Sequence, residues 1–149
     1  FGSMVAPGLD EIVDQALARL GRRAVVQRGA TALIVDRKDV LVIGDEPHAE
    51  LFPRVAAVVH HGGAGTTAAA LRAGTPAVTV PFTADQPFWG RRTAAIGAGP
   101  CPVPLKSLTP QRLAQAIDEA GGFRPGATAV SRKLAREDGI GAAVRLIRQ

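Results

Sequence analysis

A continuous apolar run, Val55-Ala56-Ala57-Val58-Val59, leads without a break into His60-His61-Gly62-Gly63-Ala64-Gly65-Thr66-Thr67. Few architectures accommodate that junction. An uninterrupted apolar strand is what a parallel sheet covered on both faces requires. A helix over Thr66 to Arg72 then carries the chain back to a second strand, Ala77-Val78-Thr79-Val80, which stops at Pro81. Parallel strands need such a crossover, because a tight hairpin cannot join them.

The same alternation runs through the rest of the chain. Leu9, Ile12, Val13, Leu17 and Leu20 recur at helical spacing and Gly21 follows them, which predicts a helix over 9–20. Ala24-Val25-Val26 and Val40-Leu41-Val42-Ile43 read as strands, the second closed by Gly44 and Asp45. A helix is expected from Gln86 to Ile96, then an extended proline-punctuated connection from Pro100 to Pro104. Thr109-Pro110 supplies a cap with proline at the first helical position, opening a helix to about Ala120. The tail from Thr128 to Gln149 reads as helical with a break at Gly139 or Gly141. Strands alternating with helices predict an open α/β sheet. With 149 residues, 46% of them hydrophobic, the chain fits one domain by the usual prior of roughly 100–200 residues each.

Composition narrows the function classes. A net charge of +5 invites a nucleic-acid reading. Against it, the 15 Arg and 3 Lys are scattered, and aromatic residues, the stacking platforms of single-strand binders, make up only 4%. A positive field suits a small anionic ligand equally well. One cysteine, Cys101, leaves no internal disulfide framework. No apolar run reaches the ~18 residues of a membrane span, and Phe1 to Leu20 lacks the basic start of a signal peptide. The expectation is therefore a soluble, cytoplasmic domain with no nucleic-acid partner and no membrane span.

The junction at His60–Thr67 also carries chemistry. Glycines let the backbone turn sharply and approach a ligand closely. A helix start presents free N–H groups at the positive end of its dipole, and Thr66 and a histidine add side-chain donors. This is an anion site, or else a packing turn whose histidines are satisfied in the core. Neither the dinucleotide pattern G-x-G-x-x-G nor a Gly-Lys-Ser/Thr phosphate loop is present. None of the three serines, Ser3, Ser107 and Ser131, stands in G-x-S-x-G. No carboxylate flanks His60-His61, so a metal site is not expected there.

The turn belongs to an ordered set. Gly44-Asp45-Glu46-Pro47-His48 comes first, then Leu51-Phe52-Pro53-Arg54, the histidine-glycine turn, Leu71-Arg72-Ala73-Gly74-Thr75-Pro76, and Pro81-Phe82-Thr83-Ala84-Asp85-Gln86-Pro87-Phe88-Trp89. This set resembles the donor-binding half of the UDP-glycosyltransferase superfamily. The nearest likeness is to sterol glucosyltransferases and to actinobacterial glycosyltransferases that decorate antibiotics. Phe1-Gly2-Ser3-Met4 leaves no room for a full strand ahead of the first helix. It reads as a cloning scar or, by the resemblance, as the end of the strand that opens this half.

What the resemblance implies is a GT-B architecture, two Rossmann-like domains facing across a cleft, with residues 1–149 forming the C-terminal donor domain. The N-terminal acceptor domain would be its partner. The expected co-substrate is a UDP- or TDP-hexose, held with no metal and no further cofactor, and the acceptor a hydrophobic sterol, lipid or antibiotic aglycone. Carried over by position, His61, Gly63, Ala64, Gly65 and Thr66 would contact the pyrophosphate, and Ser3 would line the opposite wall. Pro47 and His48 would border the nucleobase, and Asp85 and Gln86 would bond the hexose hydroxyls. Departures from the plant pattern are Ala69 where an acid meets the ribose, and Asp45 where a tryptophan stacks on the base. None of His48, His60 or His61 matches the acceptor-activating histidine, so no catalytic residue is expected in this chain and turnover by it alone is not. The reading is a hexosyltransferase half. A separately encoded or non-catalytic nucleotide-sugar-binding subunit is the alternative.

Overall fold

The computed structural model describes residues 6–28 and 37–148. Phe1–Met4, including the expected Ser3 contact, lie outside them. Among the described residues the chain runs α1 (Leu9–Leu20), β1 (Ala24–Gln27), β2 (Val40–Ile43), α2 (His48–Leu51), β3 (Val58–His60) and α3 (Ala64–Ala73). There follow β4 (Ala77–Thr79), α4 (Gln86–Ala95), α5 (Pro110–Ala120), α6 (Arg124–Leu134) and α7 (Gly139–Ile147). Both strand pairs are parallel, β1 with β2 from Ala24↔Val40 and β3 with β4 from Val58↔Ala77. The expected α/β class with helices over parallel strands is what the molecule shows, but among the described residues the strands form two separate pairs where one open sheet was expected.

The unit β3-α3-β4 places the glycine turn, and the two faces of β4 explain why it is rigid. Val78 and Val80 point into a core with Leu9 and Ala16 of α1 and Leu113 and Ala116 of α5. Ala77 points the other way, into a cluster with Phe52, Val58 and Ala70 under α3. Successive strand residues face opposite sides, so a strand covered on both must be apolar throughout. Burying each of the Val, Leu and Phe side chains among these is worth about 1.5–3 kcal/mol.

Most expected elements are present, with shifted ends. The expected strand over Val55–Val59 is ladder-paired only from Val58. Val55 and Ala56 leave a 3-10 turn at Phe52–Arg54, and their carbonyls accept from the Arg124 guanidinium at 2.8 Å each instead of pairing with a strand. The same guanidinium reaches Gly74 O at 3.3 Å, tying the start of α6 to both ends of the β3-α3 unit. α3 begins two residues before Thr66, since Gly63 already holds the extended backbone of a helix cap. The extended stretch after Pro100 lies beside β4, with Val103 N–H donating to Thr79 O at 2.9 Å. Thr109 caps α5 as expected, accepting from Arg112 N–H at 3.2 Å. In the tail the break falls at residues 135–138. Gly139 opens α7, where Asp138 accepts from Gly141 N–H at 2.9 Å. The short helix at His48–Leu51 was not foreseen. Among the described residues no helix is long and apolar enough to cross a membrane.

His60 ends β3 and is 4% exposed. Its Nδ1 accepts the Gly62 N–H at 3.0 Å, which leaves the ring proton on Nε2. Burial, reinforced by the neighbouring imidazoles of His61 and His48, lowers its pKa to about 3. The unfolded chain therefore takes up a proton near pH 6.5 that the folded chain refuses. Stability from this group is complete above pH 6.5 and is lost as pH falls from there toward 3. Between pH 7 and pH 5 the loss is about 2 kcal/mol. Urea unfolding across that range should show it, and His60→Asn, which keeps an acceptor for Gly62 N–H, should be flatter by about that amount. Equal slopes in the two proteins would contradict a buried neutral His60.

Candidate functional site

The site begins where β3 ends. Gly62 has φ +89°, in the left-handed region that favours glycine, and a Cβ there would stand 3.0 Å from the Gln86 carbonyl oxygen. The turn after β3 thus packs directly on the start of α4. Two motifs far apart in the sequence, the histidine-glycine turn and the Asp85-Gln86 pair, are brought together by that contact.

Gly63 plays a different part. A Cβ on it would lie 2.5 Å from His61 Nε2, so the bare glycine makes room for the imidazole over the helix start. The rings of His60 and His61 stand 6.3 Å apart at 85°, one turned into the core and the other toward the turn. Thr67 N–H makes the first bond of α3, to Gly63 O at 2.9 Å. The N–H groups of Ala64, Gly65 and Thr66 precede it and have no carbonyl to reach within the helix. No side chain caps them: Gly63 has none to offer. Ala64 and Gly65 are exposed, and Thr66 and His61 are half-buried. Burial keeps the His61 imidazole below the usual histidine range while the Asp85 carboxylate pulls it back up, so these two side chains act on a common region. Chemically the arrangement is a row of uncompensated N–H donors at a positive helix end, with a neutral imidazole beside them. It suits an anion of phosphate size.

The other residues expected at the site are only partly gathered around this turn. His48 opens α2, its ring stacked on Phe52 at 4.5 Å and 14°. His48, His61 and Thr66 line one cleft of about 1050 Å³, together with Asp45 and Gln27, which are themselves bonded at 3.3 Å. Pro47 is exposed at the cap of α2 and is not part of that lining. Ala69 packs against the Phe52 and Val58 cluster.

Asp85 occupies the cap position of α4, but its side chain makes no cap bond. It is exposed, and Oδ2 accepts from the Trp89 indole N–H at 2.8 Å. Gln86 is 8% exposed, and its Oε1 accepts from Phe82 N–H at 2.8 Å and Thr83 N–H at 3.1 Å. That oxygen pins the loop after β4, which leaves the amide N–H₂ as the group Gln86 has to offer a ligand. Trp89 closes the last of the sequence motifs but was given no role there, although its place four residues after Asp85 on a helix is the spacing at which side chains meet. Among the described residues no three His, Cys, Asp or Glu side chains gather as a metal would need.

Residues 16–141 match the family described as the erythromycin biosynthesis protein CIII-like C-terminal domain. The chain is 41% identical to a sterol 3-beta-glucosyltransferase of Arabidopsis thaliana over 142 residues, 92% of this chain and 22% of that one. It is 40% identical to the vancomycin aglycone glucosyltransferase of Amycolatopsis orientalis over 149 residues, 90% of this chain and 37% of that one. The crystal structure of the glycosyltransferase VinC in complex with dTDP superposes with TM-score 0.77 at 25% identity, covering 92% of this chain and 37% of that one. The chain thus spans less than two fifths of each of these proteins. With the family matched along most of its length, this chain belongs to the erythromycin biosynthesis protein CIII-like C-terminal domains of the GT-B glycosyltransferases.

Proposed function

We propose that the chain holds the nucleotide-sugar donor of an inverting glycosyltransferase, a UDP- or TDP-hexose, for transfer to a hydrophobic acceptor such as a sterol, lipid or antibiotic aglycone. The observation that carries this reading is the junction of two groups of ligand-facing donors and acceptors through the Gly62–Gln86 contact. One is the open start of α3 under His61, the other the exposed Asp85 carboxylate. A pyrophosphate on the first would place its sugar toward the second. The dTDP held by VinC and the glucose transferred by the named relatives are in keeping with it.

In that mechanism an acceptor oxygen attacks the anomeric carbon as the bond to the diphosphate breaks. Negative charge grows on the departing β-phosphate. The N–H groups of Ala64, Gly65 and Thr66, with His61 and the Thr66 hydroxyl, stand fixed where that charge develops. Preorganised donors of this kind stabilise a transition state without reorganising. The group that takes the acceptor proton is assigned to the N-terminal acceptor domain. His60 is unsuited to the task, being buried and bonded to Gly62. By this reading the chain binds donor but does not turn over unaided.

The nucleotide end is tested by titrating UDP and TDP into the chain by calorimetry. His61→Ala and Thr66→Ala should each weaken binding by about 1.5–3 kcal/mol, the range for a hydrogen bond to a charged group. EDTA should leave the titrations unchanged. Unaltered affinity in both variants, or strict dependence on a divalent ion, would overturn the phosphate assignment.

The sugar end is tested by comparing UDP-glucose or TDP-glucose with the free diphosphates. Asp85→Ala should lower affinity for the nucleotide sugar by roughly 1–3 kcal/mol and leave the diphosphate nearly unaffected. Since Asp85 makes no cap bond, its loss should cost little in melting temperature. Equal weakening of both ligands would remove Asp85 from the hexose contact.

A further inference from the structure

Asp85 stands at the cap position ahead of α4, where an aspartate ordinarily accepts from the N–H groups of the first turn. It does not do so here. Its carboxylate is instead drawn along the helix to Trp89, whose indole N–H lies 2.8 Å from Oδ2. An indole nitrogen donates only, so it can fix one carboxylate oxygen without competing for the other. The backbone just ahead is also constrained. Ala84 has φ +55°, the one positive-φ residue other than glycine among the described residues. Such a conformation persists only where surrounding structure holds it.

Trp89 is itself fixed. Its ring meets the Phe88 ring edge-on at 5.1 Å and 78°, its carbonyl accepts the Thr93 hydroxyl at 2.9 Å, and its N–H donates to Asp85 O at 3.1 Å. The two backbone bonds hold the helix beneath the ring, and the Phe88 contact with the Asp85 bond orients the ring itself.

We infer that Trp89 is a positioning residue for sugar recognition: its indole N–H holds one oxygen of Asp85 so that the other is presented to a hexose hydroxyl. The inference rests on the proposed role of Asp85 as the hexose contact. Left to itself an exposed aspartate samples several rotamers, and ordering it on binding costs affinity. The Trp89 bond removes that cost before the ligand arrives. Trp89 acts through Asp85 and touches no ligand of its own, so its effect is confined to ligands that carry the sugar.

The test is a set of calorimetric titrations with UDP-glucose against UDP and TDP-glucose against TDP. Trp89→Phe removes the N–H and keeps a ring against Phe88. It should weaken the bound nucleotide sugar roughly fivefold to twentyfold and change the diphosphate less than about twofold. Trp89→Gln, with an amide that can donate to a carboxylate one helical turn back, should retain most of the affinity. In an Asp85→Ala background Trp89→Phe should have no further effect. Equal weakening of sugar and diphosphate, or an undiminished Trp89→Phe effect without Asp85, overturns the positioning role. If Trp89→Phe is unfolded at the titration temperature, Trp89→Gln against Trp89→Met makes the same comparison of donor with no donor. An Asp85→Ala chain that loses nothing for either sugar overturns the reading of Asp85, and this inference with it.

Discussion

The bond from the Gly62 N–H to the buried Nδ1 of His60 is the constraint on which the rest of the site depends. It stops the strand and turns the chain through a left-handed residue onto the start of α4. It also sets where α3 begins. A neutral histidine serves because it accepts on one nitrogen deep in the core, where a carboxylate would bring an uncompensated charge. The adjacent His61, pointing the other way, is thereby left for the surface. Two neighbouring residues of one type divide the work, one holding the turn and one facing what the turn offers.

Rigidity behind the turn comes from the two-sided burial of β4. Val78 and Val80 are anchored by α1 and α5, Ala77 by the cluster under α3, and Arg124 ties the entrance of β3 and the end of α3 to α6. The site itself is built from groups that the core does not need: helix-start N–H groups, an imidazole and an exposed carboxylate. Its position beyond the last residues of parallel strands is where α/β sheets leave room for a ligand.

The class of fold was legible because hydrophobic spacing is a strong signal. Leu9–Leu20 and Val40–Ile43 appear with the bounds read from spacing and stop residues. Errors collected where a distant partner decides. Nothing near Val55 and Ala56 announces that Arg124 takes their carbonyls out of the sheet. Gly139 reads as a helix breaker until Asp138 is seen to cap the helix that it opens. At the site the turn and the Asp85-Gln86 pair were visible as motifs, but their use was not. The oxygen of Gln86 is spent on Phe82 and Thr83, and Asp85 forgoes its cap for Trp89. Such assignments are choices among competing partners within reach, and residue identity alone does not rank them.

Backbone amide shifts in solution test the central claim most directly, that the open start of α3 is the anion site of a nucleotide-sugar pocket. The ¹⁵N–¹H resonances are followed as UDP-glucose or TDP-glucose is added in the presence of EDTA. The account predicts the largest saturable shifts at Ala64, Gly65 and Thr66, reproduced by the free diphosphate. Saturable binding that leaves those three amides unmoved, or no shift anywhere at millimolar ligand, would contradict it.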